Sequence, residues 1–513
     1  MRSPAFLLAL LALCAAPAAG QRVGVAPPAC TPAPGTVEEL PALQPGARQL
    51  AVLAFVTESG DQSKHDLAAA LGGRVARRLS AVRPREVIAR RSRSGGEIAA
   101  LNSRAGADAR YLLAAELEPE RPGVSFLVRL LDGRTGREAW RGRFARGRDR
   151  LHELEGAIAG AVASRTLRDL TPEEIGALAK PSTRSAEAYA HFLTGLELLD
   201  QRERSALPAA IASLDKAWRA DPAFTDAWVR LALAYVRLLD RGGMSDRDEE
   251  ALRTAALEAT DRALGLDPRR SDAWVARAML LERRNPRTLT GVRDAYQRAL
   301  AVDPNDFEAH RRLGNLLGQL GEFERAAAHL RSSLFLEPER SRVLTDLAEL
   351  RLSQGRFGDA CAILNAALDA DPGAIDAYIL RVLARIPLHE YRAAWADAET
   401  AMRLGSPTQG EAVSLLVDLA AEDTVAALAR VRRLRARSMV RSDAPLTVRE
   451  GQLLAYAFAA AGDRAIALRS LARVRPRGVA LWRVMQDPRL ATLRSAQGFQ
   501  ALLASASPFE DQP

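Results

Sequence analysis

At 513 residues the chain is too long for one compact core, so several domains or an elongated array are expected. Its hydrophobic content of 48% and charged content of 26% indicate a folded, soluble protein rather than a disordered chain. The formal charge is +9, and only Lys64, Lys180 and Lys216 are lysines. Because arginine is spread over the whole chain, we interpret the local clusters at 83–93 and 430–441 as solvated surfaces and expect no nucleic-acid partner.

The start of the chain has the pattern of an export signal. Arg2 supplies the positive charge, residues 6–13 the apolar core, and residues 18–20 the small side chains before a cut near Gln21. The apolar run is short for a membrane span, and no other long apolar stretch follows. We therefore predict a signal peptide at 1–20 and an exported, periplasmic or cell-envelope protein. The alternative is a membrane anchor formed by an uncleaved N-terminal segment.

Cysteine usage predicts no disulfide framework. Cleavage would remove Cys14 and leave two cysteines, Cys30 and Cys361. Cys361 lies on a predicted buried helix, and we interpret it as a small core residue. Cys30 falls in a proline-rich flexible leader at 21–47, where it could be a free or intermolecular thiol.

Residues 48–170 predict a small α/β domain with a mixed sheet. Residues 50–56 form an apolar run of strand length, and an amphipathic helix follows, with apolar residues at every fourth position. The order β-α-β-α-β-β-β-α then comes from a strand at 87–89, a helix at 97–105, a strand at 111–117, a hairpin around 132–136, and a closing helix from Leu151.

Four segments of this domain resemble the TolB amino-terminal-like module, in the broad group that includes FlgO-like proteins. They are residues 52–55, 87–90, 107–113 and 131–140, the last reading Leu-Asp-Gly-Arg-Thr-Gly-Arg-Glu-Ala-Trp. The usual Asp-Gly-Leu opening of the first helix is replaced by Lys-His-Asp-Leu at 64–67. The resemblance implies an α/β fold and brings no catalytic residue to this chain.

Farther along, landmarks recur every 34 residues. Pro304, Pro338 and Pro372 keep this step, as do Gly321 and Gly355. Proline ends the second helix of each pair because it lacks the N–H and crowds the preceding turn. This pattern resembles the tetratricopeptide repeat (TPR) family over residues 186–474.

The fold class predicted is therefore α+β and multidomain, a mixed-sheet α/β domain followed by an all-α TPR solenoid. We expect a linker at 171–185, about six helix pairs at 186–407, degenerate repeat-like helices at 408–475, and a helical cap and tail at 476–513. An insertion at 240–250 is expected to project from the turn between two helices.

No acid, base or nucleophile set indicates an enzyme, and we expect neither metal nor cofactor. The six histidines show no paired metal-ligand spacing along the chain, and we interpret His191 and His310 as packed within repeats.

With no catalytic, metal or cofactor site indicated, we expect the chain to act by binding a partner. The first helix of each pair should line a concave face that binds a protein or peptide. Arg311 and Asn315 are four residues apart, so they share a helix face where the arginine fork could grip a carboxylate. The residues expected to project into this groove are Arg237, Arg283, Arg311, Asn315, Gln319 and Glu349.

Two functions follow from the sequence, and a third, an enzyme, is disfavoured. The first is an exported scaffold that binds protein or peptide partners in the envelope. The second comes from resemblance: a TolB-like module followed by a TPR array looks like the extracytoplasmic part of bacterial signalling proteins. This implies a regulatory subunit that contacts a membrane protein through its α/β module. The oligomeric state stays open.

Overall fold

The computed structural model describes most of the chain. The predicted signal peptide, the leader with Cys30, and the predicted helix at 97–105 lie outside the described residues. These are 48–53, 55–57, 62–83, 86–89, 109–119, 123–167, 169–200, 206–241, 246–284, 289–336, 340–440, 445–474 and 479–506.

The N-terminal domain is built on a mixed sheet, as predicted. The strands are β1 (Arg48–Val52), β2 (Val56–Thr57), β3 (Val87–Ala89), β4 (Ala109–Pro119), β5 (Gly123–Asp132) and β6 (Glu138–Gly147). The strand order is β3-β1-β4-β5-β6, with parallel pairing among β3, β1 and β4 and antiparallel pairing of β4, β5 and β6.

The first predicted strand is divided in two. Val52 lies opposite Leu113 of β4, whereas Val56 lies opposite Glu116. Four steps along β1–β2 therefore match three steps along β4, which is the mark of a bulge. The apolar run at 50–56 gave no sign of this extra residue.

Three helices cover one face of the sheet: α1 (Gln62–Val82), α2 (Leu154–Thr166) and α3 (Pro172–Ala179). The predicted linker at 171–185 is thus partly wrong. Thr171 and Glu174 form a reciprocal capping box that starts α3, and Leu178 is buried in the core of the α/β domain.

Eight helix pairs follow the α/β domain in the described chain. They are α4 (Ala186–Asp200) with α5 (Ala206–Ala220), α6 (Thr225–Arg241) with α7 (Asp246–Leu266), α8 (Ser271–Arg284) with α9 (Leu289–Val302), α10 (Phe307–Gln319) with α11 (Phe323–Leu336), α12 (Arg340–Ser353) with α13 (Phe357–Ala370), α14 (Ile375–Arg385) with α15 (Tyr391–Arg403), α16 (Pro407–Ala420) with α17 (Thr424–Val440), and α18 (Val448–Ala460) with α19 (Arg464–Ala472).

After the last pair come α20 (Val479–Met485), a 3-10 helix (Pro488–Leu493) and α21 (Gln497–Ala506). Their apolar side chains join one continuous core that begins in α6. Among the described residues, no helix combines the length and the hydropathy that a bilayer crossing needs.

The glycines that recur every 34 residues lie in the turns between paired helices. Gly321 and Gly355 have φ of 81° and 71°, the left-handed conformation that ends a helix and that glycine adopts without strain. The insertion at 240–250 does not simply project, because its ends lengthen α6 and α7; residues 242–245 lie outside the described chain.

A ring N–H also donates to the turn that connects one repeat to the next. The indole Nε1 of Trp228 donates to the carbonyl of Pro222 at 3.0 Å, and Trp274 donates to the carbonyl of Pro268 at 3.0 Å. In the next repeat an imidazole takes the place of the indole. There the Nε2 of His310 lies 3.1 Å from the carbonyl oxygen of Pro304.

Cys361 corrects one interpretation. It is fully buried on α13, as predicted, but its sulfur is disulfide-bonded, so it is not a simple core thiol. Its partner is not among the described residues.

Close helix contact at Gly314 yields a stability prediction. A Cβ on Gly314 would lie 2.9 Å from Leu330 Cγ and 3.1 Å from the Ala326 carbonyl oxygen. We expect Gly314→Ala to lower the free energy of unfolding by about 1–3 kcal/mol, because an overpacked core strains its neighbours. Urea denaturation followed by circular dichroism measures it.

Gly358 is the matched control. It also lies in a helix, but a Cβ there would meet nothing within 4 Å. Gly358→Ala should therefore stabilise the protein by about 0.5–1 kcal/mol. Equal effects of the two substitutions would contradict the helix packing at Gly314.

Candidate interaction surfaces

The α/β domain docks on the repeats through one face of α1. Arg74, Arg77 and Arg78 are spaced i, i+3 and i+4, so they share this face. Opposite them lie Asp226 and Asp272, each in the first turn of the first helix of its pair. Acids in the first helical turn are favoured by the helix dipole.

The ion pairs between these groups are close. Arg74 Nη2 lies 2.8 Å from Asp226 Oδ2, and Arg77 Nη1 lies 3.3 Å from Asp272 Oδ2. Arg270 bridges both acids at 2.6 Å and 3.0 Å. We call the whole set the docking cluster: Arg74, Arg77, Arg78, Glu155, Tyr189, Asp226, Arg270 and Asp272.

Glu155 of α2 anchors the docking cluster on the side of the α/β domain. Its side chain is inaccessible, pairs with the Arg74 guanidinium, and accepts a hydrogen bond from the Tyr189 hydroxyl at 2.7 Å. Burial alone would raise the pKa of Asp226, but the guanidinium groups of Arg74 and Arg270 outweigh it and hold this pKa well below its usual value. The carboxylates therefore stay ionised inside the interface.

Aromatic rings of α4 and of the turn between α5 and α6 surround Arg74. Its Cζ lies 4.5 Å from the centroid of the Phe192 ring, and the Phe192 and Phe224 rings are 4.9 Å apart. A cation over an aromatic face gains most when it is desolvated. Arg74 is only 4% exposed, so both its charge and its flat surface are used in the interface.

A second contact lies on the opposite face of the sheet. Apolar residues of β1, β4 and β5 pack there against Phe307, Phe335 and Leu336 of the repeats. Nearby, Asn305 Nδ2 donates to the Val87 carbonyl at 3.0 Å. The α/β domain is therefore held on two sides, over the pairs from α4 to α11.

Arg311 was predicted to project into an open groove, but the structure buries it. It is 4% exposed, and its guanidinium donates to Glu308 and, at 2.8 Å, to Asp346 of the next repeat. These two carboxylates accept hydrogen bonds from its guanidinium. Arg311 therefore connects α10 to α12.

The C-terminal helices of the chain contact the middle of the array. Glu349, another predicted groove residue, pairs with Arg449 of α18 at 2.7 Å. Helix α20 contacts α10, and the Arg483 guanidinium lies 5.9 Å from the centroid of the Phe323 ring. The array thus curves until its last helices meet its middle.

The other predicted groove residues are placed differently. Arg237 is exposed on α6 and donates to the Leu199 carbonyl at 3.0 Å, while Asn315 and Gln319 are half-buried on α10. Arg283 is on α8, but its side chain is outside the described part. Arg237, Arg283 and Gln319 follow the intervals of Pro222, Pro268 and Pro304, so they hold one equivalent repeat position. Their partner-binding role stays a prediction.

Sequence reasoning missed the docking cluster. The acids that open α6, α8 and α10 (Asp226, Asp272 and Glu308) occupy one repeat position, and this regularity could have marked an acidic row. The arginine triplet of α1 lay on the polar face of a predicted amphipathic helix. The sequence held no sign that the row and the triplet face each other, because that depends on tertiary packing.

The fold also brings two histidines together. His310 Nδ1 and His329 Nδ1 are 2.9 Å apart, although they are distant in sequence. Within the described ranges, no three histidine, cysteine or acidic side chains converge as a metal site would require.

One of the buried carboxyl groups with a shifted pKa lies inside a helix pair. Burial raises the pKa of Glu282 to about 7, where the Tyr296 hydroxyl donates to it at 3.2 Å. The ring of Tyr296 is fully buried within the helix pair, which indicates a packing role for the two residues.

Comparison with known proteins identifies the helix pairs. Tetratricopeptide repeat families match residues 312–375 and 295–328. The chain therefore contains tetratricopeptide repeats, a fold that is typically a non-enzymatic, protein-binding scaffold. No curated protein sequence matches the chain.

Several solved structures resemble part of the chain. Pseudomonas aeruginosa pilF is 20% identical over 42% of this chain and 92% of its own, with a TM-score of 0.36. PilW, described as a widely conserved type IV pilus biogenesis factor, is 20% identical over 43% and 94%, with a TM-score of 0.35. Yeast Tom70 is 15% identical over 68% and 78%, with a TM-score of 0.39.

The docking cluster predicts a large effect of one substitution. Arg74→Leu should lower the free energy of unfolding by about 3–5 kcal/mol, because it removes the guanidinium that Glu155 and Asp226 share and leaves two buried carboxylates undercompensated. Urea denaturation at pH 7 measures the loss, and limited proteolysis near residues 183–185 reports release of the α/β domain.

Arg141→Leu is the control for this variant. Arg141 is paired with Glu138 on β6, but its side chain is 68% exposed, so the pair is screened by water. Its loss should change stability by less than about 1 kcal/mol. A similar small effect of Arg74→Leu would show that the docking cluster does not hold the domains together.

Proposed function

We propose that this protein is an exported, non-enzymatic scaffold whose tetratricopeptide repeats bind a protein or peptide partner in the cell envelope. The observation that carries the proposal is the helix-pair array, to which a second domain is firmly docked. Such arrays present extended surfaces made of successive helices. The α/β module, which resembles the TolB amino-terminal-like group in sequence, is proposed as a fixed part of this scaffold.

Part of the concave face is taken by the chain itself, and this narrows the partner's surface. Arg311 and Glu349 are paired internally, so they are poor candidates for contacting a partner. Arg237, Asn315 and Gln319 are not buried and lie on the first helices of their pairs. We propose that these residues, with Arg283, contribute to binding.

A second candidate function uses the edge strand of the sheet. In the described part of the domain, β6 pairs with β5 alone, and Arg141 and Arg143 are exposed on it. An edge strand offers free backbone groups to an incoming chain. This surface would suit a regulatory subunit that contacts a membrane protein through its α/β module.

Export is supported by the signal-like start of the chain and by the disulfide at Cys361. Disulfides persist in oxidising compartments and are rare in the cytosol. The proposed location is therefore the periplasm or the cell envelope. Anchoring through an uncleaved N-terminal segment is the alternative.

The disulfide can be mapped directly. If residues 1–20 are removed on export, Cys30 is the cysteine left to pair with Cys361. Mass spectrometry of a non-reducing digest of the protein from an envelope fraction should then show a peptide linked from Cys30 to Cys361. The same protein retained in the cytosol should lack it. A free Cys361 thiol in the envelope sample would count against the proposed export.

Partner capture tests the two surfaces against each other. Wild-type protein is compared with Arg237→Glu plus Gln319→Ala in the array, and with Arg141→Glu plus Arg143→Glu on β6. The bait is incubated with a solubilised envelope fraction. Loss of a captured protein only in the array variant supports the scaffold, and loss only in the β6 variant supports the regulatory subunit. Unchanged capture in both variants would contradict both surfaces.

A further inference from the structure

The His310 ring is held by the repeat architecture. In α6 and α8 the equivalent ring is an indole, whose single N–H donates to a proline carbonyl. In α10 the imidazole of His310 makes the same contact with Pro304 through Nε2. An indole has no second ring nitrogen, whereas the imidazole has one. Of these three repeats, only the one with His310 has a second ring nitrogen besides the one that contacts the proline carbonyl.

The contact with Pro304 fixes the tautomer of His310. A carbonyl oxygen only accepts, so Nε2 must carry the proton, and Nδ1 of neutral His310 presents a lone pair. A ligating histidine commonly donates its other N–H to a backbone carbonyl, which orients the ring toward the metal. His310 has this arrangement.

The lone pair points at a second imidazole. His329 Nδ1, on the neighbouring helix α11, is 2.9 Å from His310 Nδ1. Without a third component, His329 donates its Nδ1 proton to His310. If His329 instead carries its proton on Nε2, two unprotonated ring nitrogens lie 2.9 Å apart.

The separation of the nitrogens suits a particular coordination geometry. With metal–nitrogen bonds of about 2.0–2.1 Å, two nitrogens 2.9 Å apart subtend an angle of about 90° at the metal. A tetrahedral site would need them about 3.3 Å apart. An angle near 90° matches neighbouring positions of square-planar or octahedral ions such as Cu²⁺ and Ni²⁺.

A positive charge lies one turn from this pair of rings. Arg325, one turn before His329, is paired with Glu322, which reduces its repulsion of a bound cation.

We propose that His310 and His329 form a binding site for a divalent transition-metal ion of the copper or nickel class, with solvent completing its coordination. The ion would join α10 to α11 within one repeat. This site is separate from the docking cluster and from the proposed partner surface, so it does not depend on the proposed function.

Calorimetric titration of the purified protein with NiCl₂ at pH 7.5 tests the site. The wild type should bind one equivalent that both His310→Gln and His329→Gln lose, or bind at least about tenfold more weakly, since even outer-shell substitutions cost that much. His191→Gln is the control, because His191 lies 3.9 Å from Glu187 and contacts no other histidine in the described chain. It should bind Ni²⁺ as the wild type does.

Two further measurements keep the test independent of variant folding. Ni²⁺ should raise the Tm of the wild type at pH 7.5. Electron paramagnetic resonance of the Cu²⁺-loaded wild type should show coupling to two imidazole nitrogens. The proposal is overturned if the wild type binds no ion, if the histidine variants titrate like the wild type, or if only one nitrogen couples.

Discussion

A charged side chain in a nearly dry interface constrains this whole molecule. Arg74 is surrounded by Glu155, Asp226 and the ring of Phe192, and its α1 helix links the sheet to the repeats. A buried ion pair gains little over an apolar contact, but one partner without the other is strongly destabilising. The position of the α/β domain on the array is therefore specified more sharply than apolar packing alone would specify it.

Repeat arrays usually behave as one-dimensional chains, in which each repeat touches only its neighbours. Several contacts among the described residues depart from that rule. Helix α1 reaches the first helices of two successive pairs through Asp226 and Asp272, and Arg449 of α18 reaches Glu349 of α12. The array is thereby fixed at both ends, and its curvature is set by contacts between distant parts of the chain.

Local rules were enough to predict the helices, the turns and the mixed sheet. The prolines and the glycines at 321 and 355 act through backbone geometry, which any repeat of this kind shares. The bulge between β1 and β2, the helix inside the expected linker, and the docking cluster were missed. The bulge and the docking cluster depend on which distant surface the segment meets, and periodicity carries no information about that. The helix in the linker had a local signal, the capping box of Thr171 and Glu174, which periodicity alone does not detect.

The dependence on distant contacts also explains why the predicted groove residues have different surroundings. Repeat register correctly places Arg237 and Gln319 on the first helices of their pairs, with neither side chain buried. It could not show that Asp346 would neutralise Arg311, or that the C-terminal helices would reach Glu349. His310 and His329 were likewise judged apart because they are nineteen residues apart in sequence. The packing of α10 against α11 brings the two side chains into contact.

The hydrogen bond from Asn305 to Val87 spans 218 positions of the chain, and it has a kinetic consequence. Contacts between residues far apart in sequence slow folding, because a long loop must close before the contact stabilises anything. The sheet is synthesised first, yet the groups that cover its outer face and neutralise its arginines come from α6 to α11. Until those helices form, the nascent α/β domain exposes an apolar sheet face and a row of arginines on α1 that Glu155 only partly compensates. A chaperone that binds such surfaces would therefore act early, on the N-terminal third of the chain.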